Sequence, residues 1–150
     1  MTTPSHGHAR AGRFERTWVL RDERDALERV QSDVGDALRE RGFDEAAAFA
    51  IRLALEEAMI NGFRHGNRGS PEKSVTVDCT IDGETVELVV TDEGEGFDPA
   101  SVPDPTADEN IEIPSGRGIM LMRAYMSSVE FLPPGNRLRI VYRRGAAPAA

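Results

Sequence analysis

Glu57 and Asn61 lie four residues apart in the stretch Leu53 to Asn67, which reads LALEEAMINGFRHGN. On a helix that spacing sets a carboxylate and a carboxamide on one face, about a turn apart. A carboxamide oxygen can hold a magnesium ion that also carries phosphates, because Mg²⁺ takes few protein ligands and fills its shell with phosphate and water. A carboxylate one turn away can accept a proton from an attacking hydroxyl. A second stretch, Thr91 to Pro99 (TDEGEGFDP), closes a strand-like run with Asp92 and follows it with Gly94 and Gly96. An aspartate so placed can accept a hydrogen bond from an amine, such as the exocyclic amino group of adenine. Glycines beside it let a flat ring approach the main chain with no β-carbon in the way. A third stretch, Ser115 to Met126 (SGRGIMLMRAYM), opens a helix with Gly116, Arg117 and Gly118. Helix N-termini hold phosphates through free amides and the dipole, and Arg117 adds a fork of donors for the same anion.

Each feature has a plain reading when taken alone. Glu57 beside Glu56 reads as a solvated helix carboxylate, Asn61 as an ordinary polar residue, and Asp92 with Gly94 as the start of a loop. Met120, Met122 and Met126 read as core packing. The joint occurrence, in order, on a helix, a strand end and a helix start selects nucleotide chemistry. Other routes to it are excluded. There is no G-x-x-x-x-G-K-[ST] and Lys73 is the only lysine, which removes a P-loop. Pro99 and Leu121 stand where a dinucleotide fingerprint needs its third glycine. Gly94 occupies a position where a calcium loop needs an oxygen ligand, and no His-Glu-x-x-His or cysteine pair offers zinc a site.

The elements that must position these residues follow from periodicity. Phe14 to Leu20 gives a short strand ending in Trp18, Val19 and Leu20. Asp22 to Arg41 carries Leu27, Val30, Val34, Ala37 and Leu38 at helical steps and ends at Gly42. Asp44 caps a second helix running from Glu45 to about His65, with Phe49, Leu53, Met59, Ile60 and Phe63 on its buried side. Gly66 to Pro71 is a cluster of turn formers that stops it. Ser74 to Ile81 and Glu84 to Thr91 form a hairpin about Asp82-Gly83. The polar, acidic, Pro- and Gly-rich segment 93–115 reads as a lid or a disordered stretch. A helix then starts near Arg117 or Gly118, followed by strands over Ser128 to Leu132 and Arg137 to Tyr142. The expected fold is a two-layer α/β sandwich, a mixed β-sheet with helices on one face.

The 150 residues suffice for one domain, expected over 14–143, with tails at 1–13 and 144–150. His6 and His8 fall in the first tail, where a pair seldom makes a specific metal site. A net charge of −8 argues against general nucleic-acid binding. No apolar run approaches the roughly 20 residues that span a bilayer, and no signal-peptide pattern opens the chain. The single cysteine, Cys79, cannot form an internal disulfide, which is consistent with a reducing cytoplasm, and it reads as a buried inert thiol.

The three stretches together resemble the GHKL family of ATP-binding proteins (gyrase, histidine kinase and MutL type), whose site is built from an N box, a G1 box and a G2 box. Here these look like Glu57-x-x-x-Asn61, Asp92-x-Gly94-x-Gly96 and Gly116-x-Gly118. The phrases EEAMINGFRHGN, DEGEGFDP and GRGIMLMRAYM are most similar to the anti-sigma-factor serine/threonine kinases of bacteria, over roughly Phe14 to Arg143. The resemblance implies a Bergerat-type ATP-binding fold with ATP and Mg²⁺ as cofactors. It makes Asn61 the magnesium ligand, Glu57 the base that activates a serine on a partner, and Asp92 the adenine anchor. Gly94, Gly96, Gly116 and Gly118 would shape the pocket, with Arg117 near the phosphates and His65 either beside the nucleotide or capping its helix. It further implies a STAS-type anti-sigma-factor antagonist as substrate, a sigma factor as second partner, and a cytoplasmic homodimer. The alternative function is a module that uses ATP to hold a partner without phosphorylating it, and Glu57 separates the two.

Overall fold

Val75, Val77, Cys79 and Ile81 alternate with Thr76, Asp78 and Thr80, and the period-two pattern becomes a strand with one buried and one solvated face. The computed structural model describes residues 12–94, 120, 122–133 and 135–145. Its elements are β1 (Phe14–Leu20), α1 (Glu23–Glu40), α2 (Glu45–Ile60), a π-helical turn (Asn61–Gly66), β2 (Val75–Ile81), β3 (Thr85–Thr91), β4 (Ser128–Leu132) and β5 (Arg137–Arg143). Residues 120 and 122–125 are also helical.

Both long helices begin on an aspartate cap, expected at Asp44 and found also at Asp22. The Asp22 carboxylate accepts from the Asp25 N–H at 3.2 Å, and the Asp44 carboxylate from the Ala47 N–H at 2.8 Å. Helix α1 ends in paired backbone bonds, from the Gly42 N–H to the Arg39 carbonyl (3.1 Å) and from the Phe43 N–H to the Leu38 carbonyl (3.1 Å).

The five strands lie in the order β1-β2-β3-β5-β4. Every pairing is antiparallel, so the sheet is not mixed. The two-layer α/β arrangement stands, and the departure has a topological cause. The crossover from β3 to β4 leaves those two strands running in the same direction, as a helical crossover should. The hairpin partner β5 then inserts between them, and no parallel pair forms. One face of the sheet, carrying Trp18, Leu20, Val77, Cys79, Leu88, Val90 and Ile140, joins Val30, Val34, Leu38, Ile51, Leu55, Met59, Met122 and Met126 in one core. The other face carries Thr17, Asp78, Glu87, Arg139 and Glu130, linked by Thr17 to Asp78 at 2.6 Å and by Arg139 to Glu87 and Glu130 at 2.5 and 2.8 Å.

Helix α2 departs from the sequence expectation in two respects. Its buried side is Ile51, Ala54, Leu55, Ala58 and Met59, whereas Phe49 is 68% exposed and Leu53 and Ile60 are half-buried. Phe49 lies two residues from Ile51, which on a helix is the opposite side. The segment AAAFAIRLAL is apolar almost all round, so its pattern did not single out the inward face. The helix also changes type at Asn61 instead of continuing to His65, widening to the turn closed by the Asn67 N–H on the Gly62 carbonyl at 2.8 Å. Among the described residues no helix is long and apolar enough to cross a membrane.

Candidate functional site

Strand β3 is the central strand, and its last residue, Thr91, pairs with Thr76 of β2 on one side and Arg137 of β5 on the other. On the β5 side the chain continues the ladder by one step. The Asp92 N–H donates to the Asn136 carbonyl at 2.9 Å, and the Asn136 carboxamide returns a bond from Nδ2 to the Asp92 carbonyl at 2.8 Å. On the β2 side, Glu93 Oε2 accepts from both the N–H and the hydroxyl of Ser74, each at 2.6 Å. Those bonds hold the Glu93 carboxyl below its ordinary range. Asp92 thus leaves the sheet from a backbone nearly as fixed as a strand residue.

The Asp92 carboxylate lies against the π-helical turn. A β-carbon on Gly66 would overlap Asp92 Cγ and both of its oxygens. A β-carbon on Gly94 would overlap the Gly66 carbonyl and come within 2.9 Å of Asp92 Oδ1. Only glycine at these two positions lets the turn after β3 and the turn after α2 close on one another. A β-carbon on Gly62, one helical turn before Gly66, would stand 3.1 Å from a Val75 methyl and 3.7 Å from Asp92 Cβ. Asp92 Oδ1 accepts from the Gly94 N–H at 2.7 Å. Burial nevertheless lifts the Asp92 carboxyl above its ordinary pKa, against the opposing pull of that bond and of Lys73.

Glu57 and Asn61 sit on the same segment, at the end of α2 and the start of the π-helical turn. Glu57 is half-buried, and its pKa is raised by desolvation and then by the neighbouring charge of Glu56. Asn61 Nδ2 is buried and meets no hydrogen-bond partner among the described residues. A buried amide donor left in that state is a departure from the rule that internal polar groups are paired. His65 is exposed, and among the described residues its imidazole makes no hydrogen bond to the helix end. Arg64 beside it grips Glu23 in the first turn of α1 with two bonds of 3.0 and 2.6 Å, tying the π-helical turn to that helix.

The structure therefore brings Asp92 and Gly94 against the segment that carries Glu57 and Asn61. Gly96, Gly116, Arg117 and Gly118 lie outside the described residues, as do most of the 93–115 lid, the start of the following helix, and His6 and His8. Sequence reasoning missed Gly62 and Gly66 as parts of the site, treating Gly66 only as a helix stop. Their four-residue spacing, on the helix that carries Glu57 and Asn61, was the available signal. It also missed Asn67, which read as a turn residue, and Asn136. Cys79 is buried, with its thiol pushed up to about 12 by desolvation, and plays no part here.

Comparison with known proteins places the chain in a family. The family model for the histidine kinase-like ATPase domain matches residues 20–142. An anti-sigma F factor of Oceanobacillus iheyensis is 30% identical over 95 residues, covering 61% of this chain and 64% of that protein. Anti-sigma F factors of Bacillus cytotoxicus (33% identical, 55% of this chain and 58% of that protein) and Halalkalibacterium halodurans (32%, 53% and 56%) are similar too. The chain thus spans less than two thirds of the length of each of these relatives. The match of the family model is longer and takes in α1, α2 and all strands but β1 as nearly whole elements. On that ground the chain belongs to the histidine kinase-like ATPase domain family, a domain type that binds ATP.

Proposed function

We propose that this chain binds Mg-ATP at the end of the sheet marked by Asp92 and passes the γ-phosphoryl group to a serine or threonine of a protein partner. The observation that carries this reading is the seating of the Asp92 carboxylate on Gly66, within the segment that bears Glu57 and Asn61. Asp92 accepts a hydrogen bond from the adenine amino group, while Gly94, Gly96, Gly116 and Gly118 give the nucleotide close access to the main chain. Arg117 faces the phosphates, and His65 flanks the nucleotide. Asn61 is the protein ligand of Mg²⁺. The ligand atom is its Oδ1, while its buried Nδ2 finds no acceptor among the described residues. An ion held by one side chain, with phosphates and water completing its shell, is what magnesium prefers. When bound, it would offset charge on the transferring phosphoryl group. Glu57 accepts the hydroxyl proton, and the burial that raises its pKa makes its carboxylate the stronger base.

The partner in this reading is a STAS-type anti-sigma-factor antagonist. A sigma factor is the second partner, held when the antagonist is phosphorylated and unavailable. The names of the similar proteins support the sigma-factor side, and the family resemblance supports the antagonist. The same resemblance supports a cytoplasmic homodimer, with residues 14–143 as the catalytic domain between two tails. Incubation with γ-labelled ATP and a candidate antagonist tests the kinase reading. Label is expected on a serine or threonine of the antagonist. ATP binding with no label on the partner would overturn phosphotransfer and leave a nucleotide-set partner switch.

A further inference from the structure

Asn67 follows the π-helical turn and is only 2% exposed. A carboxamide at that depth must find partners for both its ends, or it costs stability. Its Oδ1 accepts from the Glu93 N–H at 2.7 Å, and its Nδ2 donates to the Ser74 carbonyl at 2.9 Å. The first bond falls on the peptide unit that joins Asp92 to Glu93. The carbonyl of the same peptide unit is Asp92's own, and it accepts from Asn136 Nδ2 at 2.8 Å. One peptide plane is thus gripped at both edges, by Asn67 on its N–H and by Asn136 on its carbonyl. With the Asp92 N–H also bonded to Asn136, rotation of the backbone about Asp92 is closed off, and the direction in which its carboxylate leaves the chain is set.

We propose that Asn67 is a positioning residue that aims the Asp92 carboxylate and thereby sets the preference for a purine bearing a 6-amino group. Asn67 touches neither the base nor the phosphates in this scheme and acts through the Asp92–Glu93 peptide. The inference rests on the reading of Asp92 as the adenine anchor. A merely structural asparagine would hold the start of β2 against the turn and weaken every nucleotide alike when removed. A positioning asparagine weakens the amino-bearing nucleotide selectively, because a hydrogen bond to a charged acceptor is lost steeply with misalignment.

The test is a pair of dissociation constants measured on the full chain, for ATP and for purine riboside triphosphate, which lacks only the 6-amino group. The parent protein is expected to prefer ATP by about tenfold or more. Asn67→Ala is expected to bring that ratio close to one. Asn67→Asp keeps the acceptor for the Glu93 N–H and is expected to retain most of the ratio despite losing the bond to Ser74. Should Asn67→Ala fail to fold, Asn67→Ser, which is too short to span both bonds, gives the same comparison. Equal weakening of both nucleotides in the alanine or serine variant would overturn the positioning role. A parent protein that binds both nucleotides equally would instead overturn the adenine assignment of Asp92, and this proposal with it.

Discussion

Replacing Gly66 by alanine tests the contact on which the candidate site rests. The three atoms nearest the added β-carbon are all Asp92 carboxylate atoms, and all would overlap it. That carboxylate is bonded to the Gly94 N–H at 2.7 Å, and its backbone is tied to Asn136, so a small rotation does not relieve the overlap. Either the carboxylate leaves its seat or the π-helical turn backs away from β3. Overpacking of this kind costs about 1–3 kcal/mol of stability. The hydrogen bond from the adenine amino group to a charged acceptor is worth about 1.5–3 kcal/mol, so its loss weakens ATP by roughly ten- to a hundredfold. Titration calorimetry reads the affinity and thermal unfolding reads the stability. Gly83→Ala serves as control, because a β-carbon there meets nothing within 4 Å. A double-mutant cycle with Asp92→Ala sharpens the test. With the clashing atoms gone, Gly66→Ala should cost close to nothing further in stability. ATP affinity unchanged in Gly66→Ala would refute the reasoning, as would equal destabilisation with and without the Asp92 side chain.

Glu57→Gln is expected to leave the ATP dissociation constant unchanged and to slow transfer by about 10²–10⁴-fold, the usual share of a general base; retained transfer would remove Glu57 from that role. Asn61→Ala is expected to lose the magnesium-dependent part of ATP binding, read by titrating ATP with and without the ion. Burial raises the carboxyl of Asp92 above the ordinary 3.8, so the folded protein holds that proton more tightly than the unfolded chain. The stability linked to this extra proton is fully present below about pH 3.8 and is lost as pH rises through the folded-state pKa. Asp92→Asn should therefore melt higher than the parent near pH 7, with the gap closing in acid; a gap that widens in acid would contradict the desolvation account. Phe49→Ser on the exposed face of α2 should change stability by no more than about 0.5 kcal/mol, whereas Met59→Ala in the core should cost about 2–5 kcal/mol by denaturant unfolding.

The elements were legible wherever two local signals agreed. Asp44 marked a helix start because a capping carboxylate and a following apolar period point the same way, and the bond from Ala47 is there. The Asp82-Gly83 hairpin was legible for the same reason, since alternation on both flanks fixes the register about the turn. Phe49 failed because only Glu45, Arg52 and Glu56 mark the exposed face of an otherwise apolar helix, and an aromatic residue among them reads as buried until packing is known. The π-helical turn failed because i to i+5 bonding leaves no compositional trace, and its consequence is the close seat between Gly66 and Asp92. Glu57, Asn61, Asp92 and Gly94 were found as residue types at spacings. Asn67 and Asn136 were not, because the peptide group they grip, between Asp92 and Glu93, is 26 residues from one and 44 from the other.

The antiparallel order of the sheet has a direct bearing on the anchor. Had β3 and β4 paired in parallel, as a simple crossover would give, the turn before β5 would lie one strand further away. With β5 inserted, Asn136 stands opposite Asp92 in the step that follows the Thr91–Arg137 pair. On the other side Ser74, two residues beyond the Thr76–Thr91 pair, is held by the Glu93 side chain. Asp92 therefore emerges between a β5 ladder that outlasts the strand by one residue and a side-chain clasp from Glu93 to Ser74 on the β2 side, while its own side chain lies against Gly66 and Gly94. The backbone is held, and while Oδ1 takes the Gly94 N–H, Oδ2 accepts no bond among the described residues, at the modest cost of a raised pKa. A carboxylate at the end of β1 or β4, the strands at the sheet edges, would have a ladder on one side only and would hold its aim less firmly. The central position of β3 thus makes Asp92 suited to anchoring a flat base.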